Sequence, residues 1–192
     1  MINLSSLDIS KKNLVIRVDM NVPIKDGVVL DATRIEACLP TINYAVKNNS
    51  QILLISHLGR PTESNFESKF SIKPVAEYLS KLLKKPCELI TNLESNKIFN
   101  GSSNIQLLEN IRFFKGEKEN CQDLGNKLAS LGDIYVFDAF GTAHRKQAST
   151  YAAIENSSIA CAGILLEKEN EFLSQALNLS LIHISEPTRQ WQ

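Results

Sequence analysis

The chain has no excess of charge in either direction. Its 192 residues include 21 lysines and arginines against 21 aspartates and glutamates, so the net charge is zero. That balance argues against a general binder of nucleic acid or of a membrane surface, both of which need a basic excess. Aromatic residues make up only 7% and are not interleaved with basic ones, as a stacking platform for single strands requires. Cysteine is scarce and scattered. Cys38, Cys87, Cys121 and Cys161 form no C-x-x-C pair, which excludes a zinc knuckle and suits small buried residues of a reduced, cytoplasmic protein. No apolar run approaches the ~20 residues needed to span a bilayer, and no N-terminal signal peptide is visible. The eight glycines stand too far apart for G-x-x-x-x-G-K-[ST] or G-x-G-x-x-G, so no local nucleotide cradle is expected. H-E-x-x-H, a clustered metal-ligand set and a local Ser/His/Asp or Cys/His arrangement are missing too.

What is present is an apolar fraction of 43%, enough for a proper core, arranged as short apolar runs alternating with helical periodicity. Strands are expected at residues 13–19, 51–56, 86–90, 105–108 and 134–138, with a short apolar run at 159–162. Lys25-Asp26-Gly27-Val28 carries the Asp-Gly pair of a tight hairpin. Asp31 is a suitable N-cap for a helix in which Ile35, Leu39, Ile42 and Val46 share a face, and Pro40 should kink it. Further helices are expected over 72–83, with Val75, Leu79, Leu82 and Leu83 inward, over 117–131 and over 163–177, while Ala148-Ser149-Thr150 reads as a loop. This alternation predicts an α/β fold: a Rossmann-like, mostly parallel sheet with helices on both faces.

In a parallel sheet all strand C-termini share one edge, and ligands bind there. Each strand end in this chain runs into polar or basic residues. Asp19 ends the first, His57 and Arg60 follow the second, Arg112 follows the fourth, and His144 and Arg145 follow the fifth. Arg34 falls in a first helical turn, where anions are favoured, and Arg17 sits within the first strand. A polar turn is the plain alternative at any one position, and Arg17 in particular could form a local ion pair off the sheet. Taken together, four or five guanidinium forks suit a small polyanion such as a phosphorylated carboxylate. Asp19 and Asn21 could read a hydroxyl, and Asp19 could also hold one arginine. His57 and His144 could donate to the anion, helped by partial protonation.

At these same residues the sequence resembles phosphoglycerate kinase. The resemblance is carried by Arg17-Val18-Asp19-Met20-Asn21-Val22-Pro23, Asp31-Ala32-Thr33-Arg34-Ile35, Ser56-His57-Leu58-Gly59-Arg60-Pro61, Leu108-Glu109-Asn110-Ile111-Arg112-Phe113 and Asp138-Ala139-Phe140-Gly141-Thr142-Ala143-His144-Arg145. It implies the family's N-terminal domain, which binds 3-phosphoglycerate or 1,3-bisphosphoglycerate through a basic patch. The family's second domain binds magnesium ADP or ATP. The resemblance assigns substrate contacts to Asp19, Met20, Asn21, Arg34, His57, Leu58, Gly59, Arg60, Arg112 and Arg145. Arg34 would stand nearest the reacting carboxyl as the catalytic residue, and Arg17 and His144 would complete the patch. The resemblance further implies a monomeric, glycolytic protein with no nucleic-acid or membrane partner.

Two departures accompany it. Lys146-Gln147 stands where some relatives carry a further histidine. After Leu177 the text no longer resembles the family. Residues 1–177 are therefore expected to form the substrate domain, 178–192 a foreign or frameshifted tail, and the nucleotide domain to be absent, which leaves this polypeptide inactive alone. A non-catalytic anion-binding module using the same arginines is the alternative.

Overall fold

The computed structural model describes residues 2–184. Six strands form one parallel sheet: β1 (Asn13–Val18), β4 (Gln51–Ile55), β5 (Cys87–Ile90), β6 (Ile105–Leu108), β7 (Ile134–Asp138) and β8 (Ala160–Ala162), in the spatial order β5-β6-β4-β1-β7-β8. The expected α/β fold is thus the observed one. β2 (Ile24–Lys25) and β3 (Val28–Val29) make the separate hairpin, and Asp26 and Gly27 both take positive φ at its turn, as Asp-Gly favours.

Period-2 alternation sorts the core into two layers. Leu14, Ile16 and Val18 of β1, with Ile52 and Leu54 of β4, face α1 (Thr33–Ala37), α2 (Leu39–Lys47) and α3 (Lys73–Leu83), where Ile35, Ile42 and Leu79 are buried against them. Val15, Leu53, Ile55 and Tyr135 face the other way, onto Leu124 and Leu128 of α4 (Gln122–Ser130) and Ala153 of α5 (Ala153–Asn156). Arg17 shares the parity of Val15, so the strand drives a cation into this second layer. α6 (Ile164–Ile184) begins beside the end of β7, where the buried Asp138 accepts hydrogen bonds from the Leu166 amide at 2.9 Å and the Thr41 hydroxyl at 2.5 Å. Burial raises the Asp138 pKa above the usual carboxylate range.

Several local expectations are corrected. The helix expected as one piece after Asp31 breaks at Cys38 into α1 and α2, with Pro40 in the first turn of α2. Asp31 accepts from the Thr33 amide at 2.9 Å and from its hydroxyl, but the residue at the helix start is Ala32. Leu82 is exposed rather than inward. The helix expected over 117–131 covers only 122–130, because the Glu117 side chain is engaged elsewhere and Asn120 takes a left-handed φ of 55°. Residues 148–152 form a π-helical turn, not a loop. Cys38 and Cys161 are buried, but Cys87 and Cys121 only half so, and all four are free thiols. Of the expected tail, residues 185–192 lie outside the described residues.

Candidate functional site

The chain reverses its direction of travel across the sheet at β1, going first to β4 and later back to β7 on the other side. The crevice beyond the C-terminal ends of such strands is where an open α/β sheet binds ligands. Loops after β1, β4, β6 and β7 meet there and are tied to one another by side chains. The Ser56 hydroxyl accepts from the Met20 amide at 2.9 Å, and the Asn21 side-chain Oδ1 accepts from the Gly59 amide at 2.9 Å. Gly59 has a φ of +60°, and a Cβ there would sit 2.5 Å from the Phe70 ring, so both conformation and space require glycine.

Asn110 does most of the joining. Its side chain accepts from the amides of Leu58 (3.1 Å) and Arg112 (3.2 Å) and donates to the carbonyls of Leu58 (2.7 Å) and Phe70 (2.9 Å). Glu109 beside it accepts at 2.8 Å from the Ser71 hydroxyl, the Ile72 amide and the Asn110 amide. Both fall in the Leu108–Phe113 motif but carry no assigned role there, although two polar residues ending a mostly apolar, buried strand must satisfy something.

The arginines converge. Arg17 is fully buried: Nε donates to the Ser149 hydroxyl at 3.0 Å, Nη1 donates to the Val18 carbonyl, and Nη2 lies 3.3 Å from His57 Nδ1. Among the described residues it therefore forms no direct ion pair off the sheet. Arg112 is 6% exposed, with Nη1 donating to the Gly59 carbonyl and its buried Nε lacking any acceptor. Arg145 is half-buried and Arg60 exposed. Burial first, then Arg145, Arg17 and Arg60, lower the Arg112 pKa, with Glu117 opposing them. Arg34 is the outlying member, 56% exposed, its Nη1 donating to Asp19 Oδ2 at 2.8 Å. This is the arginine that Asp19 was expected to hold. Between Arg34 and the start of α6 lies a cavity of about 230 Å³ lined by Asp19, Asp138, Phe140, Leu165 and Glu169.

Other candidates fare differently. The Met20 side chain is in the core and its amide is taken by Ser56. Leu58 is buried, with both backbone groups held by Asn110. His144 is exposed. A second cavity, about 280 Å³, opens at the opposite edge of the sheet, and its Ser50 and Ser103 hydroxyls are spent on backbone carbonyls.

His57 corrects the expectation of partial protonation. Burial first, then Arg17, Arg112, Arg145 and Arg34, push its pKa down to about 2. The ring is neutral, and since Arg17 can only donate, Nδ1 accepts and the proton rests on Nε2. A histidine whose folded pKa lies below its unfolded value gives stability that is complete above about pH 6.5 and lost as the pH falls. Going from pH 7 to pH 5 should therefore cost about 2 kcal/mol through this residue, at about 1.4 kcal/mol per unit once below 6.5. Glu117, whose pKa burial raises, acts in the opposite sense. The difference between wild type and His57→Gln isolates the histidine: urea unfolding at the two pH values should show the variant losing about 2 kcal/mol less. Equal losses would mean that the ring is charged or exposed.

Comparison with known proteins bears on what this rim does. The sequence profile of phosphoglycerate kinase matches residues 4–181. The phosphoglycerate kinase of Francisella philomiragia is 46% identical over 176 residues, which is 92% of this chain and 45% of that protein. That of Desulfovibrio desulfuricans is 46% identical over 175 residues, 91% of this chain and 44% of that one. Among solved structures, phosphoglycerate kinase from Coxiella burnetii superposes with a TM-score of 0.84 at 43% identity, covering 91% of this chain and 44% of its own. The enzyme from Pyrococcus horikoshii gives 0.78 at 30% identity, covering 92% and 45%. The chain thus spans less than half the length of the relatives it matches.

Proposed function

The chain belongs to the phosphoglycerate kinase family, and from that premise we propose that it supplies the acid-binding half of the reaction that moves the acyl phosphate of 1,3-bisphosphoglycerate to ADP, giving 3-phosphoglycerate and ATP in glycolysis. The observation that carries this reading is Arg112: a buried guanidinium with an unpaired Nε, next to Arg17 and Arg145, in a pocket without a paired carboxylate for it among the described residues. Buried donors are left unpaired where a ligand completes them. A three-carbon acid with a carboxylate at one end and a phosphate at the other matches several forks set around one neutral histidine donor.

Each group has a role in the reading. Arg60, Arg112 and Arg145 hold the anionic ends, with His57 Nε2–H as a neutral donor. Asn21 and Asp19 read the glycerate hydroxyl. Arg34, exposed and aimed by Asp19, reaches the reacting carboxyl and stabilises charge on the phosphoryl as the bond to its acyl oxygen breaks. The buried Met20 and Leu58 shape the wall, and Arg17 and His144 extend the basic surface.

Magnesium ADP or ATP would supply the phosphoryl acceptor or donor. The described residues do not fit it: they contain no cluster of three His, Cys, Asp or Glu able to hold a metal ion, and the sequence has no glycine-rich phosphate loop. Residues 1–177 are assigned to the substrate domain, in a monomeric, cytoplasmic protein. No helix among the described residues is long and apolar enough to cross a membrane.

Calorimetric titration of the 192-residue chain tests the reading. 3-Phosphoglycerate should bind about tenfold or more tightly than sulfate or an unrelated sugar phosphate, since only it engages both ends of the site. Equal affinities would replace the reading with a generic anion module. In a coupled assay the same polypeptide should form no ATP, because excluding water and aligning both reactants needs closure of two domains over them.

A further inference from the structure

Arg17 is a fully buried cation, and among the described residues no carboxylate lies within ion-pair distance of it. Its counter-charge is reached through one hydroxyl. Ser149 Oγ accepts from Arg17 Nε at 3.0 Å and donates to Glu117 Oε1 at 2.6 Å, while the Ser149 amide donates to Glu117 Oε2 at 2.9 Å. Tyr135 closes the arrangement from β7, its hydroxyl donating to the Ser149 carbonyl at 2.6 Å. Glu117, Ser149 and Arg17 are all buried, so the line is shielded from water and each bond is strong.

We propose that Glu117 and Ser149 are positioning residues of the anion site: Glu117 fixes Ser149, Ser149 fixes the Arg17 fork, and Arg17 Nη2 fixes His57 as the Nε2–H tautomer that donates to the ligand. The ligand's identity rests on the reading above; the chain of positions does not. Direction follows from the donor inventory. A guanidinium can only donate, so it takes the lone pair of Nδ1 and leaves the imidazole proton on the far nitrogen. A hydroxyl has one proton, and Ser149 gives it to the carboxylate, which turns the oxygen lone pairs toward Arg17. The turn carrying Ser149 is π-helical, a rare form that is frequent at functional sites. Its next residue, Thr150, donates from its hydroxyl to the Arg145 carbonyl at 2.6 Å. One turn thus bonds the side chain of Arg17 on β1 and the backbone of Arg145 in the loop after β7.

Long-range proton–nitrogen NMR on histidine-labelled full chain reads the tautomer directly. The wild type should show His57 as Nε2–H. Ser149→Ala and Glu117→Gln should each shift the His57 nitrogens toward a tautomer mixture and weaken 3-phosphoglycerate binding about tenfold. Ser149→Thr, which keeps the hydroxyl, should restore both. A purely structural role would lower the melting midpoint of the two disruptive variants and leave the nitrogen shifts and the Ala/Thr split in affinity unmoved. An Nδ1–H or doubly protonated His57 in the wild type overturns the proposal without any variant. Folded Ser149→Ala with wild-type shifts and affinity overturns it too. Should 3-phosphoglycerate fail to bind while the variants still shift His57, the assigned function falls and the positioning chain stands.

Discussion

Arg112→Met is expected to weaken 3-phosphoglycerate binding by about 100-fold or more and yet leave the ligand-free fold as stable as the parent, or more so. The two halves have one cause. The Arg112 guanidinium is buried, one of its nitrogens has no acceptor, and Arg145, Arg17 and Arg60 repel it. Without a ligand that charge costs free energy, and methionine removes it while keeping a flexible stem of similar reach in the same packing space. The bond to the Gly59 carbonyl is lost, but Asn110 still clamps the same loop through both backbone groups of Leu58. With a ligand the balance reverses, because charge-assisted bonds in a desolvated pocket are each worth about 1.5–3 kcal/mol. Thermal unfolding with and without ligand separates the halves. At a hundredfold excess over Kd the wild type should gain about 2.7 kcal/mol, roughly 5–10 °C in a chain of this size. At the same ligand concentration the variant should gain about 0.4 kcal/mol or less. Retained affinity, or a ligand-free loss beyond about 2 kcal/mol, would show that Arg112 holds the fold rather than the ligand.

The same logic orders the rest of the rim. Arg34 has a carboxylate partner and is the most exposed of the arginines with a defined contact, so it is free to move toward a reacting group at little cost. Arg17 is the most buried and has the most bonds, so it serves as a fixed reference for its neighbours. Between these extremes stand Arg112, buried with Nη1 donating to the Gly59 carbonyl, and the half-buried Arg145. A site of this kind is organised before the ligand arrives, and the fold carries the repulsion in the meantime.

Local chemistry made much of this legible in advance. β1, β4, β6 and β7 are apolar runs that stop at polar residues, and the Asp-Gly hairpin turns where that pair favours it. The convergence of Arg17, Arg34, Arg112 and Arg145 on His57 follows from parallel strands ending at one edge. What could not be read are pairings that cross the chain. Glu117 sits in a helix-favouring stretch, and its use lies 32 residues away at Ser149, so a helix read from local propensity starts too early. Ser149 and Thr150 looked like loop residues because small hydroxyl side chains favour loops, and nothing nearby signals a buried arginine opposite them. His57 was assigned a share of charge from its ordinary pKa, and only the burial and the four surrounding cations remove it.

The second large effect is on stability, and there local and tertiary rules disagree in sign. Gly125 lies inside α4, where replacing glycine with alanine ordinarily gains about 1 kcal/mol of helix propensity. A Cβ at this position would stand 2.4 Å from the Ala152 Cβ and 2.9 Å from the Ala152 carbonyl carbon, with the Ala153 amide nitrogen at 3.1 Å. Two of those three atoms are backbone, so no rotamer change relieves the contact, and the turn over 148–152 must move as a unit. Overpacking of this kind costs about 1–3 kcal/mol or more, which exceeds the propensity gain. Gly125→Ala should therefore destabilise the chain by about 1–2 kcal/mol net in urea unfolding. The displaced turn also carries Ser149 and Thr150, so the variant should bind 3-phosphoglycerate several-fold more weakly even at temperatures where it is fully folded. Ala152→Gly in the same chain would remove the closest contact and should recover part of both losses, as coupled neighbours do. A stabilised Gly125→Ala would mean that the helix propensity wins and that α4 and the turn are not in contact in solution.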